Sequence, residues 1–237
     1  MNYLIRLKGA VLDILSPPIC LICEKALQKT EKEEYICASC FNSIPINTAL
    51  YCSICRARLA DNKKVCHKKD SYLLGAATSY DDEKVKKLIW RLKYKKQKCA
   101  AKPLAKILLA YIGPIRPISP ASLIIPIPLH PSRERGRGFN QSEAIAEEIS
   151  KTLGVKLMTG NLIRIKNTKP QPEIKGLEKR QENIAGCFAV KNPELIKGKK
   201  IIPIDDVFTS GSTMNEAVKI LRKAGAARVI GLVIAKV

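Results

Sequence analysis

The sequence has no apolar run long enough to cross a bilayer as a helix, which excludes a helical membrane span. Its 46% hydrophobic content and mean hydropathy of −0.06 are instead those of a soluble globular chain. Aromatics are scarce, at 5%, so a small domain built from this composition has little core of its own. Acid is scarce too: 21 Asp and Glu face 42 Lys and Arg, a net charge of +21. Such an imbalance favours polyanionic partners, nucleic acid or an anionic membrane surface. No small-residue cleavage site follows the opening MNYLIRLKGAVLDIL, and Asp13 interrupts its apolar part. That segment reads as a short amphipathic helix rather than a signal peptide.

Cysteine is plentiful by contrast. Seven of nine lie before residue 67, as Cys20-x2-Cys23, Cys37-x2-Cys40, Cys52-x2-Cys55 and Cys66. A Cys-x2-Cys turn presents two thiolates to one face of a tetrahedron, and a second turn about fifteen residues on completes a structural zinc site. Cys20, Cys23, Cys37 and Cys40 are predicted to form one. Disulfides and a redox pair compete with this reading, but the chain lacks a secretion signal and the pairs lack a βαβ context. The second set, Cys52, Cys55 and Cys66, has Lys69 where the spacing would place a fourth cysteine. His67 is the remaining donor for a second zinc, although adjacent residues seldom present both side chains to one ion, and a plain surface imidazole is the alternative. Cys99 and Cys187 are isolated and read as buried, inert thiols.

The most informative stretch runs from Lys200 to Thr213, KIIPIDDVFTSGST. An apolar run, two acids, then hydroxyl residues around a glycine suit a sugar phosphate held at a strand end. Apolar Ala217, Val218, Ile220 and Leu221 follow at helical spacing, so the loop opens a helix whose first N–H groups and dipole favour an anion. Thr209, Ser210, Gly211, Ser212 and Thr213 are the predicted phosphate cradle. Asp205 and Asp206 are predicted to accept hydrogen bonds from two ribose hydroxyls, and so to be the catalytic pair if there is turnover. The stretch resembles the phosphoribosyl-pyrophosphate (PRPP) signature of type I phosphoribosyltransferases. Pro203 departs from it, removing a ladder donor from an expected central strand.

Division at residue 70 is expected: residues 1–70 hold the amphipathic helix and zinc ribbon, residues 71–237 the larger domain. The larger part carries 31 basic and 14 acidic residues, or +17. Strand signals at 73–80, 122–127 and 228–235 alternate with helical ones at 84–110, broken at Pro103, and 141–153. Short apolar runs fall at 155–158, 162–165 and 187–190. This implies an α/β fold, a mostly parallel sheet with helices on both faces and ligands at the strands' C-terminal ends. From Lys84 to Lys106 the chain has ten basic residues and no acid. Lys84, Lys87, Arg91, Lys93 and Lys95 are predicted DNA contacts, with Arg135, Arg164 and Arg180; a solvated basic face is the alternative reading. In the Pro- and Arg-rich loop Ile125 to Gln141, Arg133 and Arg137 offer forked donors for pyrophosphate. His130, set between prolines, is either a base or structural. The polar stretch Arg164 to Asn183 reads as a mobile lid.

Together these features resemble the ComF family of competence-associated phosphoribosyltransferase-like proteins. The resemblance rests on the Cys knuckles, Leu88-Ile89-x2-Leu92-Lys93-Tyr94, Pro126-x-Pro128-Leu129-His130 and Arg137-Gly138-Phe139-Asn140-Gln141. Arg164-x3-Thr168-x2-Gln171, Arg180-x2-Asn183 and the PRPP-like loop extend it through the chain. It implies a cytoplasmic protein, not itself membrane-spanning, that works with other competence proteins at the inner membrane to draw in single-stranded DNA. Two other functions stay open. One is a true phosphoribosyltransferase using Mg2+ with PRPP, although no segment clearly supplies a hood for an acceptor base. The other is a PRPP-sensing regulator whose zinc domain docks on a partner.

Overall fold

The computed structural model describes residues 18–59, 66–67, 71–168 and 176–237; the expected helix at 1–15, Lys69 and Gln171 lie outside them. Helix α1 spans Ala38–Asn42 and strand β1 Leu50–Cys52. The chain continues with β2 (Leu73–Ser79), α2 (Glu83–Lys93), α3 (Ala101–Ile115), β3 (Ser122–Pro126), α4 (Pro131–Arg137) and α5 (Gln141–Leu153). Then follow β4 (Lys156–Leu157), β5 (Leu162–Arg164), α6 (Leu177–Ile184), β6 (Phe188–Val190), β7 (Lys200–Phe208), α7 (Ser212–Lys223) and β8 (Arg228–Lys236). Six strands form one sheet in the order β1-β2-β8-β7-β3-β4, with β1 antiparallel to β2 and every other pair parallel. Strands β5 and β6 make a separate antiparallel ribbon.

Side chains alternate across the sheet, so each strand feeds two cores. Ile202, Ile204, Leu232 and Ile234 pack with Leu88 and Leu92 of α2, Leu104 and Leu108 of α3, and Ile145 and Ile149 of α5. On the other side Ile201, Leu123, Ile125 and Val233 pack with Met214, Val218 and Leu221 of α7. The helices therefore cover both faces, and the expected α/β class holds. The Cys-rich region joins the first core: Cys20, Leu21, Ile36 and Leu50 bury among the same residues as α2 and α3. Across residue 70 the backbone is also paired, with Leu50, Tyr51 and Cys52 opposite Gly75, Leu74 and Leu73.

Where local chemistry sets the elements, the spacing predicts them well. Asp82 caps α2 by accepting from Lys84 N and Val85 N at 2.9 and 3.0 Å, and Val85, Leu88, Ile89 and Leu92 form its buried stripe. The expected break at Pro103 is corrected. The helical stretch divides earlier, where Tyr94 closes α2 and Lys96 turns left-handed at φ 55°, and Pro103 sits in the first turn of α3, where its missing N–H costs nothing. The Pro- and Arg-rich loop is likewise a helix in part: Pro131 starts α4, and His130 Nδ1 caps it by accepting from Ser132 N at 3.3 Å. His130 therefore has a structural role as this cap. Of the polar 164–183 stretch, expected to be a lid, residues 177–183 belong to α6 and 169–175 lie outside the described residues.

Pro203 stays inside β7 without shifting the register. Pairing with β3 runs on through Pro203 opposite Ile125. Pairing with β8 keeps one offset on both sides of a gap at Ile202 and Pro203, from Ile201–Val229 to Ile204–Leu232. The cost is local, and the ladder to β8 resumes at Ile204.

Candidate functional site

Strand β7 ends at Phe208, and the chain turns through Thr209, Ser210 and Gly211 into α7. Gly211 has φ 84°, and a Cβ there would lie 2.5 Å from Phe208 Cζ, so both the backbone and the space demand glycine. Replacing it with alanine should destabilise the fold by about 1–3 kcal/mol and distort the loop, which a thermal melt will register. Ser210 Oγ and Ser212 Oγ lie 2.9 Å apart, with Thr209 and Thr213 half-buried beside them. Asp205, Thr209, Ser210, Gly211, Ser212 and Thr213 line one small cleft. The first N–H groups of α7 have no partner within the helix, and its dipole is positive at this end. Hydroxyls and the positive pole of a helix start are together chemically suited to an anion, although the Ser212 N–H here donates to Ser210 Oγ at 3.4 Å.

The two carboxylates behind the loop differ. Asp205 accepts from Ser142 Oγ at 2.8 Å, from the start of α5, and from its neighbour's N–H at 2.9 Å. Burial, then the charge of Asp206, pushes its carboxyl up to about 7, against the pull of Lys93 and Ser142. Asp206 is ion-paired with Lys93 at the end of α2. Burial alone would raise its pKa, but the Lys93 ammonium more than offsets that and holds it below the usual carboxylate range. Lys93 titrates above an ordinary lysine: burial opposes its charge, and Asp206 outweighs burial. One residue of the basic helix is therefore committed to the β7 carboxylates.

The other predicted contacts divide by surroundings. Arg137 donates to Gln141 Oε1, and Arg133 to the Thr168 carbonyl, so both sit beside the β3–α5 connection. Arg164 is 7% exposed, donates to Thr168 Oγ1 and lies over the Phe188 ring at 5.5 Å; it is enclosed, not a surface contact. Burial pulls its pKa below that of a free guanidinium. Lys87 donates to the Ile22 carbonyl at 2.6 Å and meets Glu24 at 3.0 Å, while Arg91 meets Glu24 at 2.6 Å. These two hold the first cysteine knuckle to α2. Lys84 and Arg180 are half-buried; Lys95 and Arg135 are exposed.

Arg56, which the spacing of the cysteines does not single out, reaches the loop from the third knuckle, Cys52-x2-Cys55. It sits at φ 60°, donates to the Thr209 carbonyl at 2.9 Å and stacks over Phe208 at 5.7 Å. Arg56→Ala should weaken anion binding at the loop several-fold without changing metal content, read by calorimetry with pyrophosphate and by metal analysis. Ser142 also escapes the motif, as it lies 63 residues from the carboxylate it serves.

Both metal clusters form. The ligand atoms of Cys20, Cys23, Cys37 and Cys40 lie within 4.8 Å of one another, as do those of Cys52, Cys55, Cys66 and His67. His67 Nδ1 is 3.5 Å from Cys52 Sγ and 3.4 Å from Cys66 Sγ, so the adjacent pair does converge on one point. In each cluster the leading thiol ionises more readily than a free cysteine, while burial and then the neighbouring sulfurs push Cys40 up, and the neighbouring sulfurs push Cys66 up. Burial opposes ionisation, but backbone N–H groups aimed at sulfur bring Cys20 to about 7 and Cys52 to about 6. Four thiolates, and three with an imidazole, are the donor sets of structural zinc. Cys187 is buried and Cys99 half-buried, neither in a cluster.

These features define a class: a phosphoribosyltransferase fold with a zinc-binding N-terminal ribbon. The family described as "Phosphoribosyl transferase domain" matches residues 140–236, and "Double zinc ribbon domain" matches residues 11–69. The chain is similar to proteins with competence and DNA-utilization names. It is 32% identical over 143 residues to competence protein F of Haemophilus influenzae, covering 58% of this chain and 62% of that protein. With the DNA utilization protein YhgH of Salmonella typhimurium it shares 30% over 145 residues, 60% of this chain and 63% of the relative. Competence protein ComFC of Bacillus subtilis is 26% identical over 229 residues, 88% of this chain and 90% of the relative. The chain thus spans a little under two thirds of the first two relatives. Among the described residues, no helix is long and apolar enough to cross a membrane.

Proposed function

We propose that the protein handles incoming single-stranded DNA in natural competence. It would grip a phosphosugar, PRPP or the 5′ end of a strand, in the α7 loop while its basic surface follows the phosphate backbone. The observation that carries this reading is the loop itself: hydroxyls, a helix start and Arg56 converge where the β7 carboxylates end, in a chain of net charge +21. The reading puts it in the cytoplasm, beside competence proteins of the inner membrane. Lys84, Lys95 and Arg135 are the basic residues best placed for a strand; Lys87 and Arg91 serve the knuckle, and Lys93 the carboxylates. Mg2+ would arrive with PRPP. Asp206 is held by Lys93 and Asp205 by Ser142, so the ion's ligands would be pyrophosphate oxygens and water.

Filter binding of single strands across a salt series tests the backbone contact, since affinity should fall steeply as salt rises; a flat response rejects it. Calorimetry with PRPP and Mg2+ tests the loop. A second reading, phosphoribosyl transfer, is favoured by a cleft of about 590 Å³ that shares Ser212 with the loop and is lined by Ile54, Ala185, Asn215 and Val218. Pyrophosphate release that persists in the Asp205→Ala, Asp206→Ala double variant would move that chemistry elsewhere.

A further inference from the structure

Tryptophan belongs inside a protein this poor in aromatics, yet the single Trp of the chain is 46% exposed. Tyr94, one helical turn on, is 63% exposed, and among the described residues these two are the exposed aromatics. They lie at i and i+4 at the C-terminal end of α2, with the Tyr94 N–H bonded to the Trp90 carbonyl at 2.8 Å, so both rings project from one side of the helix. The apolar stripe Val85, Leu88, Ile89 and Leu92 supplies the core instead, and neither ring is needed there. Around them the surface is basic: the Lys95 ammonium lies 4.9 Å from the Trp90 ring centre, and Lys96 beside it is exposed. Between the rings in sequence, Lys93 reaches the other way to Asp206.

We propose that Trp90 and Tyr94 form a base-stacking platform for a single strand of nucleic acid. This deepens the strand-binding reading and rests on it. The occupant follows from chemistry. Exposed π-faces take bases of any sequence, and Lys95 and Lys96 beside them can neutralise the backbone phosphates, whereas an apolar protein partner would meet that charge. Stacking adds to affinity without adding to its salt dependence, since the phosphate contacts are separate.

The single Trp makes the platform directly observable. Zinc-loaded full-length protein is titrated with a dT oligonucleotide of about 15 nucleotides, following Trp90 emission and, in parallel, oligonucleotide anisotropy. An abasic deoxyribose-phosphate chain of equal length carries the charge without the bases. The dT strand is expected to quench Trp90, and the abasic chain to bind about ten-fold or more weakly with no quenching. Trp90→Ala with Tyr94→Ala should lose about ten-fold or more in dT affinity at unchanged salt slope and unchanged zinc content, and Trp90→Phe should restore part of it. If dT binds by anisotropy with Trp90 emission unmoved and the double variant binds as well as the parent, the platform is wrong and the strand-binding reading stands. If no strand binds at all, both fall.

Discussion

Removing zinc should unfold much more than a surface ribbon. The described part of the Cys-rich region is not an appendage: Cys20, Leu21, Ile36 and Leu50 bury with α2 and α3, and β1 forms an edge of the main sheet. A structural site of four thiolates stabilises its fold on the order of 10 kcal/mol, so chelation is expected to lower Tm by well over about 10 °C. Two zinc ions per chain are expected by metal analysis. The two sites should separate by variant. Cys20→Ser with Cys23→Ser frees Glu24 and Ile22 from Lys87 and Arg91, and so strikes the α2 face. Cys52→Ser releases Arg56 from Thr209, and so strikes anion binding at the loop. A chelated protein that melts where the loaded one does would reject the shared core as a source of stability, and one ion per chain would reject the Cys52 site.

What could be read from the sequence was what is local. The Lys200 to Thr213 stretch yields strand, hydroxyl loop and helix because every part of that unit lies within one turn or one rung of its neighbour. The four-thiolate site follows from spacing for the same reason. The Arg56 contact joins residues 153 apart, and Ser142 and Asp205 meet only once α5 packs on β7. Nothing in the order of residues marks either. The break after α2 was misplaced because a non-glycine residue, Lys96, takes the left-handed turn while the more conspicuous Pro103 falls harmlessly in a first turn. Charge misled in a different way. Ten basic residues in one stretch suggest a continuous surface, but their long stems let Lys87 and Arg91 turn to the knuckle and Lys93 to a carboxylate. The exposed remainder is narrower, and it is there that the two exposed aromatics lie.

Asp205→Asn should abolish phosphosugar binding and yet make the empty protein more stable above neutral pH. An unfolded Asp titrates near about 4, whereas in the fold burial and the Asp206 charge push Asp205 up to about 7. Between those values the folded protein holds a proton that the unfolded chain releases. The contribution is therefore fully present below about pH 4 and lost as pH rises through about 7, at a cost on the order of a few kcal/mol for the anion that is then buried. Asparagine is neutral throughout and can still accept from Ser142 Oγ, so the variant should melt above the parent at pH 8 and close to it near pH 5. Asp206 has the opposite sign. Lys93 holds its pKa down, so its contribution is present above about pH 4 and lost as pH falls through the lower folded value. Asp206→Asn leaves the Lys93 ammonium buried without its partner, and should destabilise the protein by about 3–5 kcal/mol at neutral pH. Ribose hydroxyls donate, so they need the Asp205 carboxylate, and PRPP affinity in the parent should climb between about pH 6 and 8. An Asp205→Asn protein that binds PRPP normally, or that melts below the parent at pH 8, would show that this carboxylate is not held under strain for its ligand.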